Sequence, residues 1–224
     1  MAGRIFITRW NGWPQFLRDF AVIQFGFLLF GISIDIMVQA NLGTSPWVVL
    51  EKALTLHLPI TLGQATIAVA IVVTLIDVLL RQPLGWGTIA NMLSIGLWVD
   101  WLKPFIPAAP ANWWIQIPYL LLSTFIMGFA TAVYVGVNAG AGPRDSLMLA
   151  ISRLAKVSVR RARTFLEVGV VLVGWLLGGP VGLGTLIFAV AIGPAVQVAF
   201  RLLRAPGGPP QARMDTTPLV ADEP

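Results

Sequence analysis

The chain contains no cysteine and a single histidine, His57. The first absence excludes disulfides and thiolate metal sites, and the second excludes a histidine-based metal cluster. No Ser/His/Asp set and no paired metal carboxylates stand out either, so the chain reads as neither an enzyme nor a cofactor or metal binder. Charge is scarce as well. Asp, Glu, Lys and Arg make up 11% of the 224 residues, against about 25% in an average soluble domain. Hydrophobic residues make up 57%, and mean hydropathy is +0.81. A soluble domain of this length has too little interior for helices that are apolar on every side. The composition therefore points to an integral membrane protein.

The net charge of +5 and pI near 10.4 do not make it a nucleic-acid binder. The arginines sit at the ends of apolar runs, where orientation signals belong, and no basic face interleaved with aromatics occurs. The first residues carry no signal-peptide pattern. Trp10, Trp13 and Phe16 among Arg4, Arg9 and Arg18 read as an interfacial anchor.

Six apolar runs are long enough, or nearly so, to cross a bilayer: 20–39, 62–80, 87–105, 114–137, 164–177 and 181–202. Two shorter ones, 46–58 and 145–157, read as re-entrant or interfacial helices. With the short segments not crossing and the N-terminus inside, Arg81, Arg144, Arg153, Lys156, Arg160, Arg161, Arg163, Arg201 and Arg204 all fall on the cytoplasmic side. Only Lys52 and Lys103 remain outside, which fits the positive-inside rule. The C-terminus is then cytoplasmic too. The chain divides into an interfacial segment (1–19), a first membrane repeat (20–106), a second (113–203) and a disordered tail (205–224) rich in Pro and polar residues.

The chain repeats itself. QANLGTSPWVVLEKAL (39–54) returns as NAGAGPRDSLMLAISR (138–153), and QPLGWGTI (82–89) as GPVGLGTL (179–186). The offsets are about 99 and 97 residues, which implies one small indel. Three crossings per repeat is an odd number, so the second repeat is inverted. The expected fold is all-α: six transmembrane helices as two inverted three-helix repeats, each with a short broken helix. Paired helix breaks of this kind point to a carrier's binding site.

The breaks carry the candidate binding residues: Asn41, Gly43, Thr44 and Ser45 in the first repeat, Asn138, Gly142, Arg144 and Asp145 in the second. Pro46 and Pro143 each suit the first turn of a new helix. Thr44 or Ser45 and Asp145 are natural caps. Exposed N–H groups at such a start attract an anion, and Arg144 supplies a two-pronged donor for carboxylate, phosphate or sulfate. Arg163 and Glu167, four residues apart, share a helix face. Together with Asp35, deep in the first run, they are the coupling or gating candidates, because a carboxylate inside a membrane needs a partner, a proton or water. Asp77 is expected to pair with Arg81, and Asp100 to lie beside Lys103. Gly85-Trp86-Gly87-Thr88 and the glycine-rich stretch 178–185 read as tight turns that let helices approach closely.

Gly43-Thr44-Ser45-Pro46-Trp47-Val48-Val49-Leu50, Gly140-Ala141-Gly142-Pro143-Arg144-Asp145-Ser146-Leu147-Met148, and Glu167 with the 174–185 stretch resemble the YitT/YczE family of bacterial integral membrane proteins. That family usually carries Asp where Val48 stands and Gly where Ser146 stands. The resemblance implies a multi-pass protein of the bacterial cytoplasmic membrane and supplies no substrate. The function expected from the residues is a small secondary transporter or permease for a small polar, anionic solute bound between the repeats. The alternative is a non-transporting assembly or regulatory partner. Expected partners are a small-molecule or ion substrate and the lipid bilayer, with a homodimer allowed.

Overall fold

A computed structural model describes residues 6–7, 12–137 and 139–203. Asn138, the tail 205–224 and most of the 1–11 segment lie outside the described residues. Those described form eight α-helices: α1 (Trp13–Gln39), α2 (Pro46–His57), α3 (Leu62–Leu79), α4 (Trp86–Leu102), α5 (Trp113–Gly136), α6 (Pro143–Ala155), α7 (Val159–Leu176) and α8 (Leu183–Leu203). A two-residue parallel pairing joins β1 (Phe6–Ile7) to β2 (Leu84–Gly85). Helices α1, α3, α5 and α8 are long and apolar enough to cross a membrane. Helix α4 has 17 residues, and α7 carries Arg160, Arg161, Arg163 and Glu167.

Helices α2 and α6 start in the same way. Each is preceded by a glycine in the left-handed region, Gly43 (φ 103°) and Gly140 (φ 124°), a conformation that costs glycine little. Each begins at a proline whose fixed φ and missing N–H suit a first helical position. The N-caps Ser45 (φ −62°, ψ 155°) and Gly142 (φ −62°, ψ 157°) have matching backbones. Pro46 therefore corresponds to Pro143, 97 residues on, just as Gly85 corresponds to Gly182. The expected indel is absent. A 99-residue offset sets Ser45 opposite Arg144, whereas the backbone sets Ser45 opposite Gly142 and Trp47 opposite Arg144.

This single offset reproduces the packing. Helix α1 packs on α4 through Gly31 against Trp98, and α5 packs on α8 through Gly128 against Ala195, the corresponding pair. Helix α2 lies on α7 and α6 on α3, while α1 and α5 meet at the centre. The break loops dock reciprocally. Gly87 N–H donates to the Ala139 carbonyl (3.1 Å), and Gly184 N–H to the Leu42 carbonyl (2.7 Å). A Cβ on Gly85 would strike the Ala139 carbonyl, and one on Gly182 the Leu42 carbonyl. The glycine stretches join consecutive helices and allow close approach, as expected, and each also leads into a helix start seated on the other half's break.

The halves differ in one place. Helices α3 and α4 touch so closely at Gly63 and Gly96 that a Cβ on either would overlap the other's backbone. Asp100 locks them. It accepts the Thr61 hydroxyl and the Gly63 N–H (2.9 Å) at the start of α3 rather than lying free beside Lys103. The corresponding residues of the second half are Arg160, Gly193 and Gln197. There α7 and α8 barely touch, and a Cβ on Gly193 would meet nothing within 4 Å. The expected Asp77–Arg81 pair also fails to form. Asp77 is buried and neither carboxyl oxygen is hydrogen-bonded, while Arg81 takes a left-handed turn (φ 54°).

Candidate functional site

Both helix starts open on one cavity of ≈ 210 Å³ between the halves. Ser45, Pro46 and Trp47 line it from α2, and Gly142, Pro143, Arg144 and Asp145 from α6. Neither N-cap makes a side-chain cap. Helix geometry leaves the first-turn N–H groups without an intrahelical acceptor, so the positive ends of two short helices converge on this space. Phe30 and Ile34 of α1, Ile95 of α4 and Met127 of α5 contribute apolar walls.

Arg144 is not a free anion receptor. Its guanidinium forms an ion pair with Glu51, a residue of α2 that sequence reasoning passed over. It also stacks over Trp47 with 4.8 Å to the ring centroid. Trp47 and Arg144 are corresponding positions, so the two helices meet through the residue that follows each proline. Glu51 is 0% exposed, and its second oxygen accepts the Thr66 hydroxyl at 2.8 Å. A carboxylate so far from water persists only with a charged partner and its remaining lone pairs satisfied. Arg144 keeps 33% of its side chain exposed and lines the cavity.

Two further polar contacts flank it. Arg163 and Glu167 pair at 2.9 Å along the lining face of α7. Tyr134 of α5 donates to Asp145 at 2.6 Å. Asp145 is the third helical residue of α6 rather than its cap, and a carboxylate in a first turn favours the positive helix end.

Of the residues singled out from the sequence, Ser45, Gly142, Arg144, Asp145, Arg163 and Glu167 come together on the cavity. Asn41 does not. It is exposed and left-handed (φ 53°), closing the end of α1. Gly43 is buried against Gly182 and Thr185. Thr44 and Asp35 are buried away from the cavity lining, with the Thr44 hydroxyl and one Asp35 oxygen lacking a partner. Asn138 lies outside the described residues. Glu51, Thr66, Trp47, Asn91, Tyr134 and Gln197 were missed. Only one signal pointed to Glu51: a carboxylate five residues after Pro46, inside a run too apolar to keep it wet. Among the described residues no group of three His, Cys, Asp or Glu is arranged for a metal ion.

The repeat register exposes a division of labour. Trp47, Val48, Thr66 and Ala70 of the first half correspond to Arg144, Asp145, Arg163 and Glu167 of the second. The charged residues on the cavity all come from the second half, whereas both halves contribute apolar residues.

Residues 17–201 match the model of a family of unknown function, DUF6198. An uncharacterized protein of Haemophilus influenzae is 32% identical over 191 residues, covering 85% of this chain and 87% of the relative. The uncharacterized membrane protein YczE of Bacillus subtilis is 34% identical over 167 residues, 74% of this chain and 77% of the relative. The uncharacterized protein YyaS of the same organism is 27% identical over 177 residues, 72% and 82%. No solved structure matches.

Proposed function

Because the chain belongs to the DUF6198 family and is a YczE-like membrane protein, we propose that it is a small secondary transporter. It binds a small polar solute between two inverted repeats and exposes it alternately to the two sides of the bacterial inner membrane. One observation carries this reading: a broken helix from each half opens on the same cavity, and the halves are tied there by the Arg144–Glu51 pair. The reciprocal docking of break loops supports a pseudo-two-fold relation, since such contacts are what a two-fold axis generates. In the six-crossing arrangement that axis lies in the membrane plane. The exposed Arg153, Lys156, Arg160 and Arg161 around the α6–α7 connection then mark the cytoplasmic side, with both termini.

In this arrangement Asp100, Thr61 and Gly63 lie at the outer ends of α3 and α4, which are latched. Gly193 and Gln197 lie toward the inner ends of α7 and α8, which are apart. The difference supports an inward-facing state. The outward-facing one would exchange the two conditions, a rocking of like units about a fixed site.

Arg144→Ala alone leaves Glu51 without a cation, so the test uses the Glu51→Gln/Arg144→Ala double variant, which leaves no orphaned charge. Uptake into proteoliposomes is expected to fall at least tenfold relative to wild type, with the protein still folded in gel filtration. Uptake at the wild-type rate would remove Arg144 from the site.

A further inference from the structure

Resting on the carrier reading, we infer that the solute is a small amphipathic zwitterion, with a carboxylate and an ammonium close together on one end and an apolar group on the other, the chemical class of the apolar amino acids. Three properties of the cavity lead there.

The first is the charge balance of the polar wall. Arg144 is neutralised by Glu51, and Arg163 by Glu167. Asp145 remains, holding only the Tyr134 hydroxyl. Among the described residues that leaves one cavity carboxylate with no basic side chain paired to it, answered only by the Tyr134 hydroxyl and the start of its own helix, and it faces an ammonium. Against it stand the start of α2, equivalent to roughly half a positive charge, and the Arg144 side chain, one third of which is exposed on the cavity. These face a carboxylate. A solute carrying only one charge would leave one of these sets unanswered in a confined site, where an unpaired charge is costly. A solute carrying both answers each.

The second property is the apolar part of the lining. Phe30, Ile34, Trp47 and Ile95 of the first half and Met127 and Ile192 of the second all line the cavity. A purely hydrophilic solute would leave this wall without a partner. An apolar side group covers it and gains the free energy of leaving water.

The third is size. A dry cavity of about 150 Å³ takes benzene, with six heavy atoms. By the same scale ≈ 210 Å³ suits a solute of on the order of eight or nine. That admits leucine.

The test measures binding of four probes by isothermal titration to the full-length protein in nanodiscs: L-leucine, 3-methylbutylamine, 4-methylpentanoate and glycine. Leucine is expected to bind at least tenfold more tightly than any of the other three, each of which lacks one element of the match. Asp145→Asn is expected to weaken leucine at least tenfold while changing 4-methylpentanoate less than threefold. That split separates loss of the ammonium contact from general damage. The inference is overturned if 4-methylpentanoate or the amine binds as well as leucine, if glycine does, or if none of the four binds at millimolar concentration. Leucine binding with no leucine counterflow in proteoliposomes would instead remove the carrier reading and leave the solute class standing. Counterflow of an unrelated solute without leucine binding would do the reverse.

Discussion

Arg144→Ala is expected to be the most destabilising single change in the cavity, costing about 3–5 kcal/mol, the scale for removing one partner of a buried ion pair. The two partners are not equivalent. Glu51 is 0% exposed, so losing Arg144 strands a carboxylate with only the Thr66 hydroxyl. Arg144 is 33% exposed, so Glu51→Gln lets the guanidinium turn to the cavity and keep a hydrogen bond to the amide oxygen. We expect the second change to cost about 1–2 kcal/mol, near the scale of one hydrogen bond to a charged group. The double variant Glu51→Gln/Arg144→Met should recover most of the loss, because no ion is left to desolvate. Thermal melts of the purified protein measure the order. At about 2–4 °C per kcal/mol for a chain of this size, Arg144→Ala should lower Tm by roughly 6–20 °C. Equal shifts for Arg144→Ala and Glu51→Gln would contradict the asymmetry.

That pair also marks where the sequence stopped being readable. The helix breaks were legible because Gly and Pro impose local backbone rules that hold in any surroundings, and Pro46 and Pro143 do begin helices. The Arg163–Glu167 pair was legible because one helix brings residues four apart together. Glu51 was not. Its partner lies 93 residues away, beyond the reach of any local spacing rule. The register was misread for a related reason. The halves share few identical residues, so aligning them by resemblance put Arg144 opposite Ser45. The backbone angles and the packing place Arg144 opposite Trp47, in the 97-residue offset of the 82–89 stretch. Asp100 shows the same limit: Lys103 is near in sequence, but the α3 start offers two donors aimed at the carboxylate.

The second large effect is expected from one substitution made at two corresponding positions. Gly96→Ala drives a methyl into the backbone of α3 at Gly63 and should separate α3 from α4. Overpacking of this kind costs about 1–3 kcal/mol, and the Asp100 latch would be strained with it. Gly193→Ala meets nothing within 4 Å. It removes a glycine from a helix interior and should gain about 0.5–1 kcal/mol from backbone entropy alone. Stability and transport should then part company. If α7 and α8 must close as tightly as α3 and α4 now do, the Gly193 methyl obstructs that closure. The expected result is a raised Tm with proteoliposome uptake reduced tenfold or more. Wild-type uptake by Gly193→Ala would show that α7 and α8 never come into the contact made by their counterparts.

The seating of each break loop on the other half also bears on how the molecule is made. Leu42 and Gly43 rest on residues 182–185, and Glu51 waits for a guanidinium 93 residues later in the chain. At ribosomal speeds of about 5–20 residues per second, that delay lasts roughly 5–19 seconds. Throughout it the nascent first repeat sits in the bilayer with a carboxyl that has no cation and a loop that has no seat. Neither repeat made alone should therefore settle. Co-expressed as separate pieces they should rescue each other, and ribosomes carrying only the first should be the ones that engage insertase and quality-control proteases.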